Sequence, residues 1–174
     1  MGDDEALAEF CRDEWPRLVG SLSLYVGSRE LAEDLAQETL VRVCGHWRRV
    51  RGADSPSAWA HRVAFNLAKS HGRRRATWSR VQARVARSPI ASVESDRATA
   101  IAVRDALRSL PETQRKALIL RYFADLSVRE TALAMRCPEN TVKTHTRRAL
   151  DALRFSGLVG DEPIGTRAAT EEAR

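Results

Sequence analysis

Residues 137–149, CPENTVKTHTRRA, gather an amide, several hydroxyls, a lysine, a histidine and two arginines into one glycine-free run. These are the groups that bond to base edges and phosphates. Val142, Thr146, Ala149 and Leu153 recur at i, i+4, i+7 and i+11, which predicts one buried helical stripe. The stripe leaves Glu139, Asn140, Lys143, Thr144, Arg147 and Arg148 outward. A second cationic set, Arg62, Lys69, Arg73, Arg74 and Arg75, falls on one segment, where five like charges repel unless a polyanion is near.

Nothing else in the chain suggests a reaction. Cys11, Cys44 and Cys137 are odd in number and widely spaced, with no C-x-x-C and no Cys/His set of zinc spacing. His46, His61, His71 and His145 have no metal spacing either. The expectation is reduced, mostly packing thiols, with no metal, no cofactor and no catalytic residues. An enzyme such as a serine recombinase with a C-terminal helix pair would need a mixed α/β catalytic domain, and strand signals are nearly absent.

The 174 residues carry 29 Lys+Arg against 23 Asp+Glu, a net charge of +6. The pI of about 9.9 points to a polyanionic partner or to a basic solvated surface. The distribution says more than the total. Residues 1–40 hold ten acidic and three basic side chains, whereas residues 41–90 hold twelve basic ones and only Asp54. An acidic head before a basic middle implies surfaces for two kinds of partner. MGDDEALAEF lacks a signal-peptide apolar core, and no apolar run approaches the ~20 residues that span a bilayer, so a cytoplasmic protein is expected.

The elements that position these groups read as helices throughout, an all-α chain. Leu7, Phe10 and Cys11 open an amphipathic segment that Leu18, Val19, Leu22 and Val26 continue past Pro16, with Gly27 as its stop and Ser28 as the next N-cap. Leu31, Leu35, Ala36, Thr39, Leu40, Val43 and Trp47 mark one face of a long helix. Its other face carries Glu30, Glu33, Asp34, Gln37, Glu38 and Arg42. Residues 48–57 read as a loop, and Ser55-Pro56 as a helix start with Trp59, Ala60, Val63, Ala64 and Leu67 as the apolar stripe beyond it. Residues 77–98 read as a flexible linker between two small domains, 1–76 and 99–155, and 156–174 as a disordered tail. In the second domain Ile101, Val103, Leu107 and Leu110 form one helix, and Pro111 starts the next. Ser127 and Glu130 form a capping box for a helix with Val128, Thr131, Ala132 and Met135 on one face. The turn RCPE then makes a helix-turn-helix whose second helix is 139–155.

The order of residues extends this reading. LPETQRKALILRYFADLSVRETALAMRCPENTVKTHTRRALDALR (110–154) closely resembles region 4 of bacterial sigma factors, which binds the −35 promoter element. Leu110-Pro111-Glu112, Arg115, Leu120-Arg121-Tyr122, Leu126-Ser127, Glu130, Ala132, Cys137-Pro138, Thr141-Val142-Lys143 and Arg148-Ala149 carry the likeness. AEDLAQETLVRVCGHWRRV (32–50) resembles region 2.2, which docks on the clamp of RNA polymerase, and SPSAWAHRVAFNLAKSHGRRR (55–75) resembles regions 2.3 and 2.4, which open and read the −10 element. Regions 1.1 and 3 have no counterpart, an economy that points to the extracytoplasmic-function (ECF) group and, by wording, to actinobacterial members.

The resemblance implies a sigma region 2-like bundle and a sigma region 4-like helix-turn-helix, with core polymerase and promoter DNA as partners. Asp34, Gln37, Glu38 and Arg42 would dock on polymerase, while Glu30 and Glu33 read better as solvated. Asn66 would help to read the opened −10 strand, with Arg62, Lys69 and Arg73–Arg75 on its phosphates. Trp59 and Phe65 are stacking candidates, although Trp59 sits on the apolar stripe. Glu139, Asn140, Thr141, Lys143, Thr144, Arg147 and Arg148 would face the −35 duplex. Family members usually carry glycine where this chain has Arg136, and often at Asn140; if the turn needs φ > 0 at 136, arginine is strained there. The residues leave open whether an anti-sigma factor is a further partner. They also leave a rival: a helix-turn-helix regulator that binds duplex DNA without polymerase.

Overall fold

The computed structural model describes the backbone of residues 2–81 and 96–155, and the side chains of 2–74 and 102–155. The predicted linker core (82–95) and tail (156–174) lie outside the described residues. Among those described there is no strand. The helices are α1 (Asp3–Val26), α2 (Arg29–Gly45), α3 (Trp47–Arg51), α4 (Pro56–Val81), α5 (Asp96–Ser109), α6 (Glu112–Tyr122), α7 (Val128–Met135) and α8 (Glu139–Phe155).

The expected punctuation is in place. Gly27 ends α1 with φ 78°, its N–H donating to the Ser23 carbonyl, a left-handed cap that favours glycine. The Leu31 N–H then donates to the Ser28 hydroxyl to start α2, and the Ala58 N–H to the Ser55 hydroxyl to start α4. Pro16 lies within α1 on its exposed side, where water reaches the carbonyl that proline leaves without a donor.

The first unit packs α1 and α2 against the alanine side of α4. Leu18, Leu22, Ala32, Leu35 and Ala36 meet Ala64 and Ala68, and the small α4 side chains let the backbones approach closely. The stretch predicted as loop departs from expectation at its start: Trp47–Arg51 is helical, because Val50 is fully buried with Val43 and Ala60. Trp47 and Val50 among arginines span less than one turn, too short a stretch to show a period.

Inside this unit Glu14 and His61 are buried together. The Ser57 hydroxyl and the Glu14 carboxylate share a hydrogen bond, and His61 Nδ1 lies 3.5 Å from Glu14 and 3.1 Å from the Ser57 carbonyl. Burial lowers the His61 pKa, outweighing the opposing pull of Glu14. Cys44, expected as a packing thiol, is instead exposed at the end of α2. Burial is the main cause that pushes the Cys11 thiol up to about 11, with the neighbouring Cys44 adding to it.

In the second unit the later half of α6 is enclosed, with Ala117 to Leu120 all buried among α5, α7 and α8. Ser127 and Glu130 close the capping box reciprocally. Arg136 adopts φ 55°, ψ 49°, and its N–H and that of Cys137 both reach the Ala132 carbonyl. Asn140 is an ordinary helical residue of α8. Left-handed backbone costs an L-residue roughly 1 kcal/mol, so Arg136→Gly is expected to stabilise the protein by about that much, read as a higher urea midpoint at unchanged slope.

The two units touch. A second side of α4 lies on α7 and reaches α6 through its side chains, so Ala58 and Phe65 share a core with Leu107, Leu118 and Leu126. A 3.6-residue period marks an apolar face but not the partner that covers it.

Candidate nucleic-acid interface

Three helices carry the residues singled out above, each backed by an apolar stripe. On α8, Val142, Thr146, Ala149, Leu150 and Leu153 are buried against α6 and α7. That fixes the opposite face, where Glu139, Asn140, Lys143, Arg147 and Arg148 are exposed and Thr141 and Thr144 half-buried. Positions 140, 143, 144 and 147 follow helical spacing, so the amide, ammonium, hydroxyl and guanidinium form one strip along the helix. The Thr144 hydroxyl donates to the Asn140 carbonyl at 2.8 Å, which leaves its oxygen to accept from outside. His145 is half-buried, with Nδ1 enclosed and unpartnered.

On α4, Arg62, Asn66, Lys69 and Arg73 recur at i, i+4, i+7 and i+11 along one edge. Asn66, Lys69, Arg73 and Arg74 are exposed, and Arg73 donates to Ser70 Oγ at 3.3 Å. Arg75 continues the helix, with its side chain outside the described residues. Arg62 is half-buried, and its pKa is lowered by burial and by the neighbouring cations Arg136 and Arg49. A polyanion would relieve that repulsion. The stacking candidates separate. Trp59 packs half-buried beside Val43, Val50 and Ala60, 6.3 Å from the His46 ring, whereas Phe65 is 1% exposed.

On α2, Asp34, Gln37, Glu38 and Arg42 are all exposed on one face. Glu38 accepts from Arg42 at 2.6 Å, and Glu33, expected to be solvated, accepts from Arg29 at 2.8 Å. Val41 stands among them at 65% exposure. The sequence reading passed over it, although an apolar residue placed amid polar ones is a legible signal of a contact surface.

Acidic and basic faces thus lie on separate helices of one chain, and the chain is similar to known proteins along both units. The description "Sigma-70 region 2" matches residues 12–78 and "Sigma-70, region 4" matches residues 100–153. The RNA polymerase sigma-H factor of Pseudomonas aeruginosa is 31% identical over 79% of this chain and 78% of its own length. The ECF RNA polymerase sigma factor SigC of Mycobacterium tuberculosis is 31% identical over 87% and 83%.

The chain belongs to the ECF group of sigma factors.

The likeness runs the length of this sigma factor: the RNA polymerase sigma-E factor of Streptomyces coelicolor is 28% identical over all of this chain and 97% of its own. Among solved structures, the sigma factor RpoE of Bartonella quintana, determined with the anti-sigma factor NepR, has the same fold, with a TM-score of 0.70 and 23% identity over 88% of this chain and 99% of that one. Sigma factors are non-catalytic regulatory subunits of polymerase. No described helix is long and apolar enough to cross a membrane, and no described cluster of His, Cys, Asp or Glu is arranged to hold a metal ion.

Proposed function

We propose that the sigma factor divides its work among the three faces: α2 docks on core RNA polymerase, α4 holds the opened −10 strand and α8 reads the −35 duplex. Its functional units are then 1–76 and 99–155, joined through 77–98. The observation that carries this reading is the pairing of an acidic, partly apolar face on α2 with a cationic edge on α4 in one unit. A duplex-binding regulator has use for α8 but not for that pair.

Each role follows from its chemistry. Asp34, Gln37 and Glu38 flank the exposed Val41, which suits a basic groove that closes over a small apolar contact. On α4, Arg62, Lys69, Arg73, Arg74 and Arg75 track a single strand electrostatically, with Asn66 available to an unpaired base edge. On α8, Lys143 and Arg147 present the donors that pair with guanine acceptors in a major groove, and Asn140 the amide that pairs with adenine. An anti-sigma factor, as found with the Bartonella relative, would act by covering one or more of these faces.

The test is run-off transcription with core polymerase on a promoter library, alongside a polymerase pull-down. Asp34→Lys with Glu38→Lys is expected to lower polymerase capture at least tenfold while helical circular dichroism stays unchanged, since both side chains are exposed. Unchanged capture would reject α2 as the docking face.

A further inference from the structure

We propose that Cys11 and Cys44 are a redox pair, which a hydroperoxide converts into a disulfide across α1 and α2, and that this disulfide releases the sigma factor from polymerase. The release rests on the reading of α2 as the docking helix, whereas the pair itself does not.

The register of the two helices brings the thiols together. α1 and α2 are joined only through Gly27 and Ser28 and pack against each other as an antiparallel pair. Near that turn Leu18 and Leu22 share a cluster with Ala32, Leu35 and Ala36. At the far end Leu7 and Phe10 share one with Leu40, Val43 and Trp47, and the Phe10 and Trp47 rings lie 5.5 Å apart. Cys11 follows Phe10 and Cys44 follows Val43, so both stand at one level of the seam. There Cys44 is close enough to add to the burial that raises the Cys11 pKa. Positions at one level of two packed helices are where a disulfide's short reach can be met with little backbone movement.

The two thiols have different parts. Cys44 is exposed in the last turn of α2, and Cys11 is half-buried. A pKa of about 11 keeps Cys11 protonated at neutral pH, so the oxidant meets Cys44 first. Cys44 gives its proton to solvent, and the thiolate attacks the hydroperoxide. The O–O bond breaks, the leaving oxygen takes up a proton, and Cys44 becomes a sulfenic acid. The hydroperoxide has then gained the two electrons that the sulfur lost. The Cys11 sulfur next attacks the Cys44 sulfur. An S–S bond replaces the S–O bond, and the hydroxyl leaves with the Cys11 proton as water. In sum, two thiols and one hydroperoxide give a disulfide, an alcohol and water. A dithiol reverses the change by exchange.

The position of Cys44 couples this chemistry to docking. It lies one turn past Leu40, which packs into the core, and three residues past Val41, which is 65% exposed. Its side chain therefore stands on the border between the α1 seam and the docking face. Asp34, Gln37, Val41 and Cys44 follow helical spacing along one strip. A disulfide turns the sulfur off that strip toward α1 and draws with it the final turn of α2, which ends one residue on at Gly45. Docked polymerase would cover the strip, so the free sigma factor is the form that is oxidised.

The experiment treats the full-length sigma factor with hydrogen peroxide, removes the peroxide by gel filtration and then adds core polymerase. Non-reducing peptide mapping is expected to show Cys11 linked to Cys44 within a monomer. Polymerase capture is expected to fall about fivefold, the loss of one well-packed contact. Dithiothreitol is expected to reverse both. A linkage to Cys137, a dimer joined through Cys44, or no linkage at all overturns the pair. So does the same reversible loss of capture in Cys11→Ser, with circular dichroism showing that the variant is folded. A Cys11–Cys44 linkage that leaves capture unchanged overturns the release. Asp34→Lys with Glu38→Lys then separates the two readings: lowered capture keeps α2 as the docking face, and unchanged capture removes the docking face along with the release.

Discussion

Lys143→Ala and Arg147→Ala are each expected to weaken binding of the polymerase holoenzyme at its preferred −35 sequence by about 1–3 kcal/mol, roughly 5- to 150-fold. Both side chains project from the exposed face of α8, so truncation removes a contact without opening the core behind Val142 and Ala149. A donor that loses its base edge costs most where that base is correct, and the effect must shrink on a scrambled −35 element. Replacing Arg73, Arg74 and Arg75 together has a different signature. Phosphate contacts carry no sequence information, and their loss flattens the salt dependence by about 0.7 per contact on a single strand. Anisotropy titrations at several salt concentrations, on templates with intact and scrambled −35 elements, separate the two. Uniform weakening by both sets of substitutions would reject the division of labour between α4 and α8.

The largest stability effect is expected at Glu14, which no DNA or polymerase contact explains. Glu14→Ala is expected to cost about 3 kcal/mol, read by urea unfolding at pH 7.5. It strands the buried side of His61, removes the acceptor of the half-buried Ser57 hydroxyl and leaves a cavity. The same site sets a pH dependence. Burial holds the His61 pKa below its ordinary 6.5, so below pH 6.5 the unfolded chain takes up a proton that the folded chain resists. Stability from this group is therefore complete above pH 6.5 and falls as the pH drops toward the folded value. Urea midpoints between pH 7.5 and 5.5 should fall in the wild type and fall less in His61→Phe. A steeper decline in His61→Phe would show that the histidine is not the titrating group.

Much of this molecule was legible before any coordinates. The capping box at Ser127–Glu130, the stop at Gly27 and the start at Ser55-Pro56 are local chemistry, written within four residues of where they act. The exposed strips of α2 and α8 follow from a helical period with one apolar side. Arg136 shows the same locality: its left-handed conformation is the condition under which the sequence reading held arginine to be strained in that turn. The short α3 was not legible, because Val50 is anchored chiefly by Val43 and Ala60 on other helices, and five residues are too few to show a period.

What the amino-acid sequence determined by itself is the set of longer helices, their two groupings and the chemistry each solvent face offers. Those properties depend on backbone hydrogen bonding and apolar period over a few turns. Only the tertiary structure decided that Glu14 meets Ser57 across 43 residues and Tyr25 meets Glu112 across 87. It also decided that Phe65 and Lys69, which the sequence offered to DNA, lie against α6. An apolar or cationic face states what it needs, burial or a counter-charge, and several elements of the same chain can satisfy that need. Which one does so depends on the packing of all of them together.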